Sequence, residues 1–425
     1  MSEAIPARCT WRRSWVRPSC SCSDPPTRSR TPHGPTLPRA ACAPIAPWPS
    51  LRRPRWRRPA HCSAARPRTS ARRSAAGDPP AALHTGYHRP VSLDPTRLDQ
   101  LLDGFRHVHL LVVGDLVLDE YVWGDVARVS PEAPVPVVEV RDETVVLGGA
   151  GNVTRNIVAL GGQVSCCAVV GDDPAGRSAA DLLDRLGVDP GGLVVDAGRP
   201  TTRKTRIVAQ NQQVVRFDRE TLEAPSEASR RALLDAVDRA LGASAGVVVA
   251  DYGKGALAPV VAVEAMEIFR ARGVPVVIDP KSALEPWRGA ALVKPNLREA
   301  EWLSGVRVEE AADLARAAGV LRRELSGADV VVTRGGDGMT LFEDGAAGVD
   351  VRTVARDVFD VQGAGDTTIA ALALAQRAGA SLLEAAVLAN AAAGVVVGKV
   401  GTATASPGEV RALLPEAVAA AGGAG

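Results

Sequence analysis

From residue 108 onward, short apolar runs alternate with stretches of helical spacing. His109–Val113 reads as a buried strand ending in Gly114-Asp115, and Val164–Val170, Gly246–Ala250, Val274–Ile278, Ala291–Val293 and Asp329–Thr333 repeat the pattern. Between them, Ser178–Leu186, Ser226–Leu241, Val260–Arg272 and Glu309–Leu325 carry apolar residues at helical intervals. Strands alternating with helices predict an α/β fold: a parallel sheet covered on both faces, with ligands at the carboxyl ends of its strands. Two stretches break the alternation. Tyr121–Val146 and Thr201–Asp218 alternate polar and apolar residues, with Pro131, Pro134 and Pro136 in the first. They predict a small antiparallel sheet projecting from the main one, a lid or a dimer contact that shuts water out of a site below.

Charge separates the first ninety residues from the rest. Residues 1–90 hold 17 Arg, no Lys, three acidic residues and 16 of the 31 Pro, with no sustained periodicity; the remainder holds 33 basic and 45 acidic side chains. The expectation is that 1–90 is a disordered extension, or sequence translated from a start placed upstream of the true one, for which Val91 is a candidate. The run Arg52–Arg58 leaves a nucleic-acid arm as an alternative. The body is expected over 91–418, with lid segments near 121–147 and 201–218 and a flexible tail at 419–425.

All six His lie at or before His109, and the body keeps only Cys166 and Cys167. A His-dependent triad, an HExxH zinc site or a Cys/His cluster therefore cannot be built from 110–425. Carboxylates, Lys, Arg, backbone N–H groups or a bound metal have to do the chemistry. The acidic body argues against nucleic-acid binding, no run of about 18 apolar residues predicts a membrane span, and the adjacent cysteines suggest a reducing compartment, the cytoplasm.

Four glycine-rich or polar turns carry candidate chemistry. In Asp360-Val-Gln-Gly-Ala-Gly-Asp366, small residues at Gly363, Ala364 and Gly365 precede an Ala/Leu-rich helix and would let an anion approach the helix start. Asp366 would sit beside that anion, placed to accept a proton from an attacking hydroxyl; a plain turn with Asp as helix cap reads equally well. Gly148-Gly149-Ala-Gly-Asn152 permits close packing on a polar ligand, with Asn152 as donor and acceptor, or is a tight turn. Asn296-Leu297-Arg298-Glu299 either organises a hydrated Mg²⁺ beside nucleotide phosphates through Asn296 and Glu299, or is a capping box. Thr333-Arg-Gly335-Gly-Asp-Gly338 suits a nucleotide or a hairpin equally. Gly171–Ser178 nearly spells a phosphate loop, but Arg177 stands where its Lys should be.

Taken in this order, these residues resemble the ribokinase (PfkB) family of sugar kinases from about Leu101 to Leu413. Within it, Val113–Asp119, Arg128–Pro136, Lys204-Thr-Arg206, Asn211-Gln-Gln213, Asp251-Tyr-Gly-Lys-Gly255 and Asn390–Lys399 look like the D-glycero-β-D-manno-heptose 7-phosphate kinases. The resemblance implies a three-layer α/β/α fold with a mostly parallel central sheet, and ATP-dependent phosphorylation of that heptose at C1 with Mg²⁺. It implies Asp366 as catalytic base, Gly363–Gly365 as anion hole, Asn296–Glu299 at ATP and its metal, and Asp119, Gly148, Gly149 and Asn152 at the sugar; Thr333, Gly335, Gly338 and Asn390 join the nucleotide side. A substrate already bearing phosphate needs a second cationic site, for which Lys204, Arg206 and Arg216 are candidates unless they are a solvated lid face. Expected partners are a small sugar phosphate and a second copy through the lid. Many such kinases are fused to a nucleotidyltransferase carrying an HxGH motif; with no His beyond 109, that activity is expected to be absent here. Gln362 departs from the family's usual Thr. Rival readings are a kinase for another sugar phosphate or a nucleoside, and a sugar-binding regulator without catalysis.

Overall fold

The computed structural model describes residues 93–422 except 211, 282, 345–346, 356–359 and 400. The expectation for residues 1–90, and Asn211 among the motif residues, lie outside the described residues. The chain runs α1 (Pro95–Gly104), β1 (His109–Gly114), β2 (Leu116–Val129), β3 (Pro136–Gly149), α2 (Ala150–Ala159), β4 (Gln163–Gly171), α3 (Pro174–Arg185) and β5 (Leu193–Asp196). It continues through β6 (Thr202–Ala209), β7 (Gln212–Arg219), α4 (Glu227–Leu241), β8 (Gly246–Ala250), α5 (Pro259–Ala271), β9 (Val276–Asp279), β10 (Leu292–Val293) and α6 (Leu297–Ser304). It closes with α7 (Ala311–Glu324), β11 (Asp329–Thr333), β12 (Met339–Phe342), β13 (Val349–Val351), α8 (Ala364–Arg377), α9 (Leu382–Val397) and α10 (Pro407–Gly422).

The main sheet has the order β13-β12-β11-β10-β9-β8-β1-β4-β5. From β11 to β5 every pairing is parallel, and β12 and β13 add an antiparallel edge. Burial on both faces explains the unbroken apolar runs. In β1, Leu110 and Val112 face a cluster built with α1, α2, α8, α9 and α10, while Leu111 and Val113 face one built with α4, α5, α6 and α7. The result is the expected three-layer α/β/α arrangement. α8 and α9 are buried around most of their surface, which matches their Ala/Leu/Val composition. β12, β13 and β5 carry no strand signal distinct enough to separate them in the sequence from the turns around them.

A second sheet of order β3-β2-β6-β7 is formed by the segments expected to make the lid. Its hairpins β2–β3 and β6–β7 are antiparallel as expected, but β2 and β6 pair parallel, so the lid is mixed rather than antiparallel. The reason is topological. β2 follows β1 and β6 follows β5, and β1 and β5 run the same way in the main sheet. The expected flexible tail is also corrected: α10 extends to Gly422, with Val418, Ala420 and Ala421 packed on the core beside α9.

Phe269 of α5 is fully buried, whereas Val263 on the same helix is 45% exposed. Phe269→Ala should cost about 3–5 kcal/mol in chemical denaturation and Val263→Ala within about 0.5 kcal/mol. Similar losses for both would contradict this packing.

Candidate active site

The carboxyl ends of the parallel strands converge on the start of α8. Gly363 caps that helix at φ +78°, and a Cβ there would lie 2.8 Å from Asn152 Nδ2. No side chain caps α8, in contrast to the capping boxes of α6 and α9, so its first-turn N–H groups keep no side-chain acceptor. Together with the helix dipole they give Gly363–Gly365 the character suited to an anion. Asp366 follows in the first turn. Its Oδ2 accepts from Asn152 Nδ2 at 2.6 Å, and its Oδ1 accepts from the Tyr252 hydroxyl. Arg155 fixes the Asn152 amide by donating to its Oδ1 at 3.2 Å. Burial pushes the Asp366 carboxyl above the usual range, while the Tyr252 and Asn152 donors and the nearby Lys294 pull it back.

A cleft of about 590 Å³ ends on this carboxylate, a size suited to a small-molecule ligand. Its walls include Thr333, Gly335 and Gly338 after β11, and Asn390, Gly394 and Val397 of α9. Asn390 spends its amide on the Arg352 carbonyl at 2.7 Å, so it shapes the wall. At the floor, Lys294 Nζ lies 3.0 Å from Asp279 Oδ2 with both side chains buried. Lys294 also stands under the anion site, 3.6 Å from where a Cβ on Gly365 would be. Lys281 bridges Asp279 (3.2 Å) and Glu299. Burial disfavours its ammonium, but the two carboxylates outweigh that and raise its pKa.

The capping-box alternative for 296–299 is realised: Glu299 N–H donates to Asn296 Oδ1 at 3.0 Å, and Asn296 N–H to Glu299 Oε2 at 2.8 Å. Asn296 lines the cleft as well. Leu297 packs on the core and Arg298 is exposed, and neither lines the cleft. Among the described residues no group of three His, Cys, Asp or Glu side chains is arranged to hold a metal. Asp279 and Glu299 fit Mg²⁺ only through water, the mode in which the ion keeps most of its hydration and phosphate ligands. Gly171–Ser178 is a structural turn, as its sequence suggested: Asp173 caps α3 through Gly176 N–H at 2.8 Å and binds Thr201.

On the other side of Asp366 lies the root of the lid. Asp119 of β2 accepts from Arg206 Nη1 of β6 at 2.6 Å in a buried pair. Gly148 is required opposite, because a Cβ would run into Asp119 Oδ2. Gly149, at φ +57°, turns the chain into α2 and Asn152. The Arg206 guanidinium lies 5.3 Å over the Tyr121 ring, and the Tyr121 hydroxyl donates to Gln362 at 3.0 Å. The family-divergent Gln362 thus ties the lid to the anion loop.

Of the cations expected for a substrate phosphate, Arg206 is paired with Asp119 and Arg216 with Asp218. Lys204 lies beside Asp119 and opposite Asp218 in register, and its charge helps hold the Asp218 carboxyl low. Asn152, expected at a sugar hydroxyl, donates to the Asp366 carboxylate. Sequence reasoning passed over Tyr252, Asp279, Lys281, Lys294 and Arg155. The first four sit at, or within two residues after, the carboxyl ends of β8, β9 and β10, so the strand-end rule could have found them.

Comparison with known proteins agrees with this geometry. The family profile described as pfkB family carbohydrate kinase matches residues 107–408. A bifunctional protein HldE from Pelobacter propionicus is 43% identical over 319 residues, covering 75% of this chain and 65% of that protein. Another from Desulfatibacillum aliphaticivorans is 46% identical over 314 residues, covering 73% and 64%. The chain thus spans just under two thirds of these relatives' length. In fold it resembles Arabidopsis thaliana ribokinase complexed with ribose and ATP (TM-score 0.58, 22% identity, 72% of this chain and 98% of that one). It also resembles Escherichia coli phosphofructokinase-2 in complex with potassium (TM-score 0.61, 20% identity, 73% and 98%). The chain belongs to the pfkB family of carbohydrate kinases and has the ribokinase-like fold.

Proposed function

We propose that this protein transfers the γ-phosphoryl group of ATP to the C1 hydroxyl of D-glycero-β-D-manno-heptose 7-phosphate, giving the 1,7-bisphosphate and ADP. The observation that carries the reading is the placement of Asp366: a donor-clamped carboxylate at an uncapped helix start, with a nucleotide-sized cleft on one side and the lid root on the other. The heptose assignment rests on the motif wording of the lid and strand ends and is supported by the likeness to HldE proteins. Lys204, on the strand next to Asp119 at the lid root, supports a phosphorylated acceptor.

In this reading ATP lies between the Thr333–Gly338 turn and α9, with its phosphates toward Lys281, Lys294 and Gly363–Gly365. Asp366 takes the proton of the C1 hydroxyl as its oxygen attacks the γ-phosphorus, and the bond to the ADP oxygen breaks. Lys281, Lys294 and the α8 N–H groups balance charge spreading over the transferred group, which is where phosphoryl transfer gains most of its rate. Mg²⁺, carried on the nucleotide and touched through water by Asp279 and Glu299, would neutralise phosphate charge. The lid closes over the sugar and excludes water that would otherwise accept the phosphoryl group. Its outer face exposes Val215 and Phe217, which suits a homodimer through the lid. The reading places the enzyme in the cytoplasm with its ATP.

Purified protein with ATP, Mg²⁺ and heptose 7-phosphate should give a new C1 phosphate signal by phosphorus NMR; failure to form ADP with any sugar would favour the non-catalytic reading. Asp366→Asn should keep nucleotide affinity and lose about 10²–10⁴-fold in kcat. The wild-type rate should fall on the acid side through a midpoint above the ordinary carboxylate range, because the raised Asp366 pKa protonates the base there. Lys204→Ala should raise KM for heptose 7-phosphate about 10-fold or more, the worth of one charge-assisted hydrogen bond, and leave unphosphorylated heptose nearly unaffected. Equal losses on both sugars would contradict the phosphate role.

A further inference from the structure

Tyr252 supplies one of the two donors on Asp366, and the fold goes to some length to hold it. Its loop follows β8 and is pinned by buried Asp115, which accepts three backbone N–H groups: Tyr252 at 2.9 Å, Lys254 at 3.0 Å and Ala256 at 3.0 Å. Gly253 N–H donates to Asp251 Oδ1 at 2.9 Å and tightens the same turn. The phenol ring then fills the space between the two halves of the site. The Lys281 ammonium lies 5.9 Å from its centroid on the nucleotide side, and Gly149 packs near its edge on the sugar side. With its backbone fixed and its ring wedged, the hydroxyl donates to Asp366 Oδ1.

We propose that Tyr252 is the positioning residue for the base: its hydroxyl, opposite the Asn152 amide, locks the rotation of the Asp366 carboxylate and keeps it ionised in a desolvated site. This rests on Asp366 acting as the base. Two donors on two different oxygens allow one orientation of the group, and they stabilise its charged form against the cost of burial. Tyr252 itself stays protonated as a donor, because burial first, and then the charges of Asp366 and Asp279, push its pKa well above the usual phenol value. The Asn152 amide cannot do this alone, since one hydrogen bond leaves the carboxylate free to swing about its own Cβ–Cγ axis.

The test measures kcat, both KM values and the pH profile for wild type, Tyr252→Phe, the protein carrying 3-fluorotyrosine at position 252, and Asp366→Asn. Tyr252→Phe should lower kcat about 10- to 100-fold, as expected for loss of a hydrogen bond to a charged group. KM for ATP should change little, and the acid limb should move to higher pH, because a donor that favours the carboxylate has gone. Fluorotyrosine, a stronger donor of nearly the same size, should move the acid limb to lower pH and needs no loss of packing to do so. An acid limb that stays put in both variants would overturn the proposal. Near-normal turnover in Asp366→Asn would instead overturn the base assignment and this inference with it.

Discussion

Asp366 sits where three remote segments meet: the start of α8, Asn152 from α2 and Tyr252 from the loop after β8. Desolvating a carboxylate is costly, and the neighbouring residues are arranged against that cost. Gly363 lets Asn152 approach, Gly149 turns the chain into α2, and Asp115 folds the loop that carries Tyr252. These residues serve the packing of the sheet and the charge state of one side chain at once. A change at any of them reaches the base through contacts rather than through a distant path.

The nucleotide side shows the same economy of charge. Asp279 and Lys294 are both almost fully buried and stand 3.0 Å apart; removing Asp279 leaves Lys294 a buried charge stripped of its carboxylate. A buried pair of this kind contributes little net stability, so its value lies in a cation fixed under the anion site before a ligand arrives. Lys281 repeats the arrangement nearer the mouth with two carboxylates. The second sheet adds a third instance, Arg206 with Asp119.

The parallel sheet was legible because two-sided burial writes itself as unbroken apolar runs: Gly246–Ala250 and Asp329–Thr333 are strands with the bounds their patterns suggested. Hairpins in the lid were legible from alternation, but the parallel pairing of β2 with β6 was not. That depends on which way β1 and β5 point, information carried by the whole sheet. The site divided in the same way. Asp366 and its glycines stand out because a helix start needs small residues to receive an anion. Tyr252, Lys281 and Lys294 were hidden because each is an ordinary residue in its local window and acquires meaning only where strands β8, β9 and β10 end together. The partner of Arg206 was hidden for the converse reason: a lone cation in sequence, it meets Asp119 from a neighbouring strand.

The central claim, that one carboxylate at the start of α8 activates the acceptor hydroxyl, is tested most directly by a crystal structure of the ternary complex with a non-hydrolysable ATP analogue and heptose 7-phosphate. The account predicts an Asp366 oxygen within about 3 Å of the C1 hydroxyl, with that hydroxyl in line with the γ-phosphorus. A C1 hydroxyl held by other groups, with Asp366 turned away from it, would contradict the account.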